Sequence, residues 1–593
     1  MSEKTIIIGG GPAGLTAAYE LAKAGQRAVV LEKDRLVGGI SKTVDYKGYH
    51  FDLGGHRFFT KIDRVNEMWR EVLSKDLLHR SRLSRIYYNK KFFYYPLKPF
   101  NALSGLGFIP SVLILLSYLK IHLFPLKSEE SFEEWVTNRF GRRLYETFFK
   151  TYTEKVWGIP CTEIKAEWAA QRIKGLSLIS AVRNSIIAQK KGDGKKVITT
   201  LIDSFDYPKL GPGMMWRAVA DRVLESGSKV LMESNVTKIT WEPGRVRSVS
   251  VNEGGRNTEL TGENFISSMP IRELIGCFSP EPPKEVISAA NSLKYRDFLT
   301  VALIVDKPGL FPDNWIYVHD EKVKLGRIQN FKNWSPHMVP DQTKTCLGLE
   351  YFCFEGDELW NSSDEDLIEL GKMELKELNL ASPADINDGS VVRVPKAYPV
   401  YDAEYRRHLE TVKGFLATVS NLQLIGRAGM HKYNNQDHSM LTAMLAVENI
   451  LGSNHDLWEV NEEKVYHEEK AERPAETLIP DQAIIGAFSR IDKLGLATAI
   501  GLTTGLIVLL MTLTLVIKGG DVIGPNFRLL SEYFIGYSVT LGGALIGGAY
   551  GFVWGFILGW LFSYLRNFFL GYYIYRIKRK TSMLSFRVFL DHF

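Results

Sequence analysis

The chain has 593 residues, 45% hydrophobic and 24% charged, which is apolar enough for several domains with cores of their own and excludes a disordered polymer. Its four cysteines, Cys161, Cys277, Cys346 and Cys353, form no CxxC or Cys/His cluster, which argues against a disulfide scaffold and a metal site and fits a reducing compartment. The net charge of +6 sits mainly in the tail, where six Lys/Arg from Arg566 onward face only Asp591, a pattern suited to an anionic membrane surface rather than nucleic acid.

The N-terminal "MSEKTIIIGGG" has no basic stretch leading into an apolar run and a cleavage site, so export is not expected. "KTIIIGGGPAGLTAAYELAKAGQRAVVLEKD" reads as strand, glycine turn, helix and strand. Gly9, Gly11 and Gly14 make GxGxxG, which permits a tight turn and brings a pyrophosphate close to a helix N-terminus. Glu32, eighteen residues after Gly14, is placed to take the ribose hydroxyls of an adenosine. A dinucleotide site is therefore expected. The sequel "RLVGGISKTVDYKGYHFDLGGHRFF", with Gly38, Gly39, Ser41, Gly54 and Gly55, resembles FAD-containing oxidoreductases of the amine-oxidase type, so FAD is the expected cofactor.

That resemblance implies an α/β fold: a Rossmann-type, amine-oxidase-like FAD domain interrupted by a substrate domain. The expected FAD-binding parts are 1–62, 195–290 and 412–460, with 63–194 and 291–411 in the substrate domain. "SNVTKITWEPGRVRSVSVNEG", containing Val236, reads as a β-meander, "ENFISSMP" as a returning strand and "LQLIGRAGM" as the last strand. Residues 99–119 carry no charge over 21 positions and suit either a helix of the substrate domain bent at Pro110 and the paired glycines Gly105 and Gly107, or an interfacial or re-entrant membrane segment. "YNNQDHSMLTAMLAVENIL" reads as a helix with Ser439, Asp437 and Asn435 all plausible caps, and a start at Ser439 would aim its N-terminal amides where a reduced flavin carries negative charge.

After a polar linker at 461–490, two uncharged stretches are long enough to span a bilayer: Leu494–Ile517, 24 residues, and Tyr533–Leu565, 33 residues. Residues 491–593 are thus expected to form a transmembrane helical hairpin with a basic tail. The catalytic part then lies on the cytoplasmic side of an integral membrane protein. Gly543, Gly547, Gly551, Gly555 and Gly559 recur every fourth residue, a face that lets helices approach and that suits helix–helix association. Oligomeric state is left open.

Four further motifs, "VWGIPCTEIKAEWAAQRI", "RIQNFKNWSP", "AYPVYD" and "GRAGMHKYNNQDHS", resemble in order those of UDP-galactopyranose mutases of the eukaryotic type, over residues 1 to about 460. The resemblance implies an isomerase in which reduced FAD attacks the sugar's anomeric carbon through N5. The sugar–flavin adduct then opens and recloses as the other ring form. It also implies that Arg172 and Arg327 clamp a diphosphate, with phenolic donors from Tyr317, Tyr398 and Tyr433, Asn435 beside them and His56 near the flavin. The cofactor would be held by Gly9, Gly11, Gly14, Glu32, Gly38, Gly39, Ser41, Gly55, Val236, Gly426, Arg427, Gln436 and Ser439. The chain departs from the family at the nucleotide end. Where the family has "YPFQ" this sequence has "YYPLK": Tyr95 is kept, but Leu97 replaces an aromatic, removing a stacking face of about 1 kcal/mol, and Lys98 replaces Gln. The substrate is therefore a sugar on either a nucleotide or a polyprenyl phosphate. The competing reading is a membrane-bound FAD oxidoreductase acting on a lipid, akin to protoporphyrinogen oxidases or carotenoid desaturases.

Overall fold

The computed structural model describes residues 3–95, 97, 99–166, 204–461, 492–519 and 525–590, with side chains to 569 in the last helix. Two compact units, Met1–Ala471 and Glu472–Phe593, make up the chain.

In the first unit the opening strand Glu3–Ile8 pairs in parallel with Ala28–Leu31 on one side and with the second half of Arg256–Ser267 on the other. Ile6, Ile7 and Val30 are fully buried, as an apolar run covered on both faces requires. The Pro12–Lys23 helix between the strands starts with Pro12 directly after its Gly11 cap, where the missing N–H is not needed. The first half of Arg256–Ser267 pairs antiparallel with Arg245–Glu253, which pairs in turn with Ser234–Glu242. The expected meander and returning strand are thus present, and Leu422–Leu424 pairs with the same long strand. Helix Asp63–Leu73, placed by sequence in the substrate domain, packs Val65, Met68 and Trp69 into the core of this first sheet.

A second, seven-stranded sheet runs in the order Ile386–Pro399, Tyr295–Val305, Thr345–Cys353, Arg327–Asn330, Trp315–Val318, Ser84–Tyr88, Lys91–Tyr94. Its register sets Tyr317 opposite Arg327, and Arg327 opposite Glu350. Beyond it the chain is helical. The 99–119 stretch forms two helices, Pro99–Leu106 and Phe108–Leu123. They break at Gly107, whose φ of +89° an L side chain adopts with strain, and not at Pro110, which sits in the first turn where its missing N–H costs nothing.

The second unit is a helical hairpin of Lys493–Lys518 and Leu541–Leu590. Lys493–Lys518 and Leu541–Phe569 are long and apolar enough to cross a membrane. The glycine face expected to meet another helix is occupied within the hairpin. A Cβ on Gly551 would lie 3.1 Å from Gly505, and one on Gly559 would lie 3.0 Å from Ala497. Thr504 donates to the carbonyl of Gly551 across this seam at 2.8 Å.

Candidate active site

One cavity of roughly 510 Å³ runs from the first sheet to the second, and nearly all the expected site residues border it. At the first-sheet end lie Gly9, Gly11, Glu32, Gly39, Ser41 and Val236. Gly9 has φ +103°, and a Cβ there would run into Ser268. Gly14 and Gly38 do not reach the cavity. A Cβ on Gly14 would overlap the carbonyl oxygen of Gly9, so its role is to let helix and turn close up, while Gly38 is packed against Lys42 and Trp216. Glu32, 7% exposed, accepts from Gly10 N at 2.7 Å and from Asp34 N at 2.9 Å. It therefore braces the glycine turn as well as facing the cavity.

At the other end the cavity is bordered by Gly55, His56, Tyr317, Arg327, Tyr398, Arg427, Tyr433, Asn435, Gln436 and Ser439, while Gly426 lies back beside the glycine turn, where a Cβ would meet Ala13 at 3.0 Å. Arg172 lies outside the described residues, as does Lys98. The rings of Tyr398 and Tyr433 stack with centroids 5.6 Å apart, and the Arg427 guanidinium lies over both, 4.6 Å from the Tyr433 ring. Arg427 donates to the carbonyls of Asn434 and Ala397 at 2.8 and 3.3 Å. Among the described residues no carboxylate pairs with it, so its charge is available to an anion.

Arg327 is different. Its Nε and Nη2 donate to Glu350 Oε2 at 2.9 and 2.5 Å, and Nη2 also lies 3.3 Å from the Tyr398 hydroxyl. Burial works against its charge, but Glu350 and the nearby phenols outweigh it and raise the guanidinium well above its ordinary pKa. Glu350 is completely buried, and its second oxygen accepts from Gln329 at 2.7 Å. The sequence reading missed Glu350. The available signal was a lone carboxylate in "TCLGLEYFC", a strand buried on both faces, where an acid needs a cation.

His56 opens onto the cavity with a buried Nδ1 that has no hydrogen-bond partner among the described residues, as does Gln436 Oε1. Burial first, then Arg427 and Arg327, pulls the imidazole down to about 3, so it is neutral at physiological pH. The polar helix starts at Gln436, with Asn435, one of the three candidate caps, as N-cap and His438 Nδ1 accepting from Asn435 N at 3.4 Å. Asn435 lies outside the helix because its ψ of 179° is extended, which leaves its side chain on the cavity.

Residues 12–438 match the family of flavin-containing amine oxidoreductases. The chain belongs to that family. FAD is the cofactor this membership brings, and the cavity suits it: a glycine turn with no side chains in the way, a carboxylate at the strand end, and orphan polar atoms at the far end. A crystal structure of reduced UDP-galactopyranose mutase superposes with a TM-score of 0.68 at 21% identity, covering 78% of this chain and 97% of that one. A putative protoporphyrinogen oxidase from Exiguobacterium sp. 255-15 gives 0.58 at 17% identity, covering 76% and 99%. At such identities the likeness is one of fold. The inactive all-trans-retinol 13,14-reductase of Danio rerio is 51% identical over 49 residues, only 8% of either chain. This member of the family therefore shares the fold of enzymes with different chemistries, and its own must be argued from the site.

Proposed function

We propose that the chain is an isomerase, a flavin-dependent sugar pyranose/furanose mutase or close mechanistic relative. Its substrate is a sugar carried on a nucleotide or polyprenyl phosphate, and it works as a membrane-anchored enzyme with its catalytic unit on the cytoplasmic side. The observation that carries this reading is the far end of the cavity, where Tyr317, Tyr398 and Tyr433 converge with Arg327 and Arg427. An oxidoreductase acting on a lipid calls for an apolar tunnel there. Cations and phenols are what a phosphate leaving group needs.

When bound, the reduced flavin supplies a nucleophilic nitrogen. The protein's part is binding and orientation. Arg427, which pairs with no carboxylate among the described residues, attracts the phosphate. The phenols of Tyr398 and Tyr433 add donors without fixed charge, so the group is held before and after it leaves. Arg327 is anchored by Glu350 and presents its remaining donor capacity from a fixed position. Neutral His56 offers its ring nitrogen as an uncharged hydrogen-bond partner. Arg172 keeps the clamp role that the family resemblance gives it.

The test is to incubate chemically reduced enzyme with sugar diphosphates and lipid-linked sugars and to analyse the sugar ring form and the reductant consumed. Interconversion of ring forms with no stoichiometric loss of reductant is the expected result. Stoichiometric oxidation or reduction of an apolar substrate, with sugar phosphates left unchanged, would replace this reading with the oxidoreductase.

A further inference from the structure

Helix Phe108–Leu123 is apolar nearly all round until its last turn, the composition of a helix that is buried or in lipid. Only one side is covered by the described chain. Ser111, Ile114, Tyr118 and Ile121, which share a face at 3.6 residues per turn, are each 9% exposed or less. Opposite them Phe108, Ile109, Leu115, Leu116, Leu119 and Leu123 are 48–83% exposed. The helix is firmly seated: Ser117 Oγ accepts from Arg143 N at 3.2 Å, and Gly141 lets the neighbouring backbone lie against Tyr118. Ile114 on its inner face belongs to the same packed core as Tyr398, and Tyr317 and Tyr433 pack against that core.

We propose that the outer face of this helix is a membrane contact, lying in the interfacial layer of an anionic bilayer. It would be a third lipid-facing element, separate from the two long C-terminal helices. Two observations select lipid as the occupant. The same chain carries two helices long and apolar enough to cross a bilayer, so the catalytic unit is tethered where lipid is abundant. The exposed stripe is also edged by the exposed Lys120 and His122, with Lys127 just beyond, and no acidic residue occurs from 99 through 128. Apolar residues towards the acyl chains with cations at the headgroup level are the pattern of an interfacial helix. The inference does not depend on which reaction the site performs.

The experiment uses the full chain in nanodiscs containing phosphatidylglycerol, with Cys277→Ser as background and a spin label at Leu116→Cys. Arg256→Cys, at an exposed hairpin turn of the same unit, is the aqueous reference. The label at 116 should collide with oxygen relative to a water-soluble nickel chelate about fivefold more than the label at 256, as expected inside a bilayer interface. Equal ratios at the two positions would overturn the proposal. So would shielding of the label from both reagents that grows with protein concentration, which would assign the face to a second copy. A Leu115→Glu, Leu116→Glu double variant labelled at Leu119→Cys, with its flavin spectrum intact as proof of folding, should lose the oxygen preference. Retention of that preference would show that the apolar stripe does not hold the contact.

Discussion

The two ends of the cavity are built by opposite strategies. At the first-sheet end, Gly9, Gly11, Glu32, Gly39 and Ser41 come from one stretch of 33 residues, and backbone shape does the work. At the far end, Tyr317, Arg327, Glu350, Tyr398 and Tyr433 come from separate strands and a loop, and strand register brings them together. The first end should fail when backbone geometry is disturbed. The second should fail when a side chain is, with the cofactor retained.

The largest effect is expected at Gly14, which touches no ligand. Any side chain there overlaps the Gly9 carbonyl and pushes helix and turn apart. Gly14→Val should yield colourless protein with no retained FAD, measured by the flavin absorbance of the purified chain. Normal flavin content in that variant would mean the turn is not what holds the cofactor.

Arg327 separates stability from chemistry at the other end. Arg327→Ala strands the fully buried Glu350, which costs about 3–5 kcal/mol in chemical denaturation. Turnover should collapse while FAD stays bound. Adding Glu350→Gln removes the stranded charge, so the double variant should recover much of the stability and none of the turnover. If activity returned with stability, the pair would be structural only.

This contrast also explains what could be read from the sequence. The glycine turn, the acid at the end of the second strand and the βαβ unit are local patterns, so spacing alone located them. The Tyr and Arg residues were reachable only through resemblance to a family, because no spacing between residues 317 and 433 reports that they meet. Glu350 was missed because its meaning depends on the strand register that places it beside Arg327. The cap at Asn435 and the break at Gly107 are each one of several candidates in the sequence, for a smaller reason. Several adjacent residues can cap or bend a helix, and packing chooses among them.

Asp52 ends the strand Tyr49–Asp52, two residues before Gly54. It is buried, accepting from Thr43 Oγ1 at 2.8 Å and from the Tyr207 hydroxyl. Burial raises its carboxyl from 3.8 to about 7, against the opposing effect of those two hydrogen bonds. The folded state therefore holds this proton more tightly than the unfolded chain. Stability is full at low pH and is lost as pH rises from about 4 to about 7, by on the order of 4 kcal/mol. Asp52→Asn keeps the shape without the titration and should flatten the decline of melting temperature over that window. An unchanged pH profile would show that other groups govern it.

The smallest effect is expected at Tyr398. Its hydroxyl receives one long hydrogen bond, 3.3 Å from Arg327, whose charge is already met by Glu350, while its ring stacks on Tyr433. Tyr398→Phe keeps the stacking and removes only the hydroxyl, so the expected loss is about 1 kcal/mol, roughly fivefold in kcat/KM, with FAD content and stability unchanged. The comparison with Arg327→Ala gives this small number its value. If the phenol acts only by orienting Arg327, the Phe change should have no further effect once Arg327 is gone. If it donates directly to the phosphate, its cost should persist in the Arg327→Ala, Tyr398→Phe double variant. A drop as large as that of Arg327→Ala from the hydroxyl alone would contradict the division of roles drawn here and make Tyr398 the principal donor at this end of the cavity.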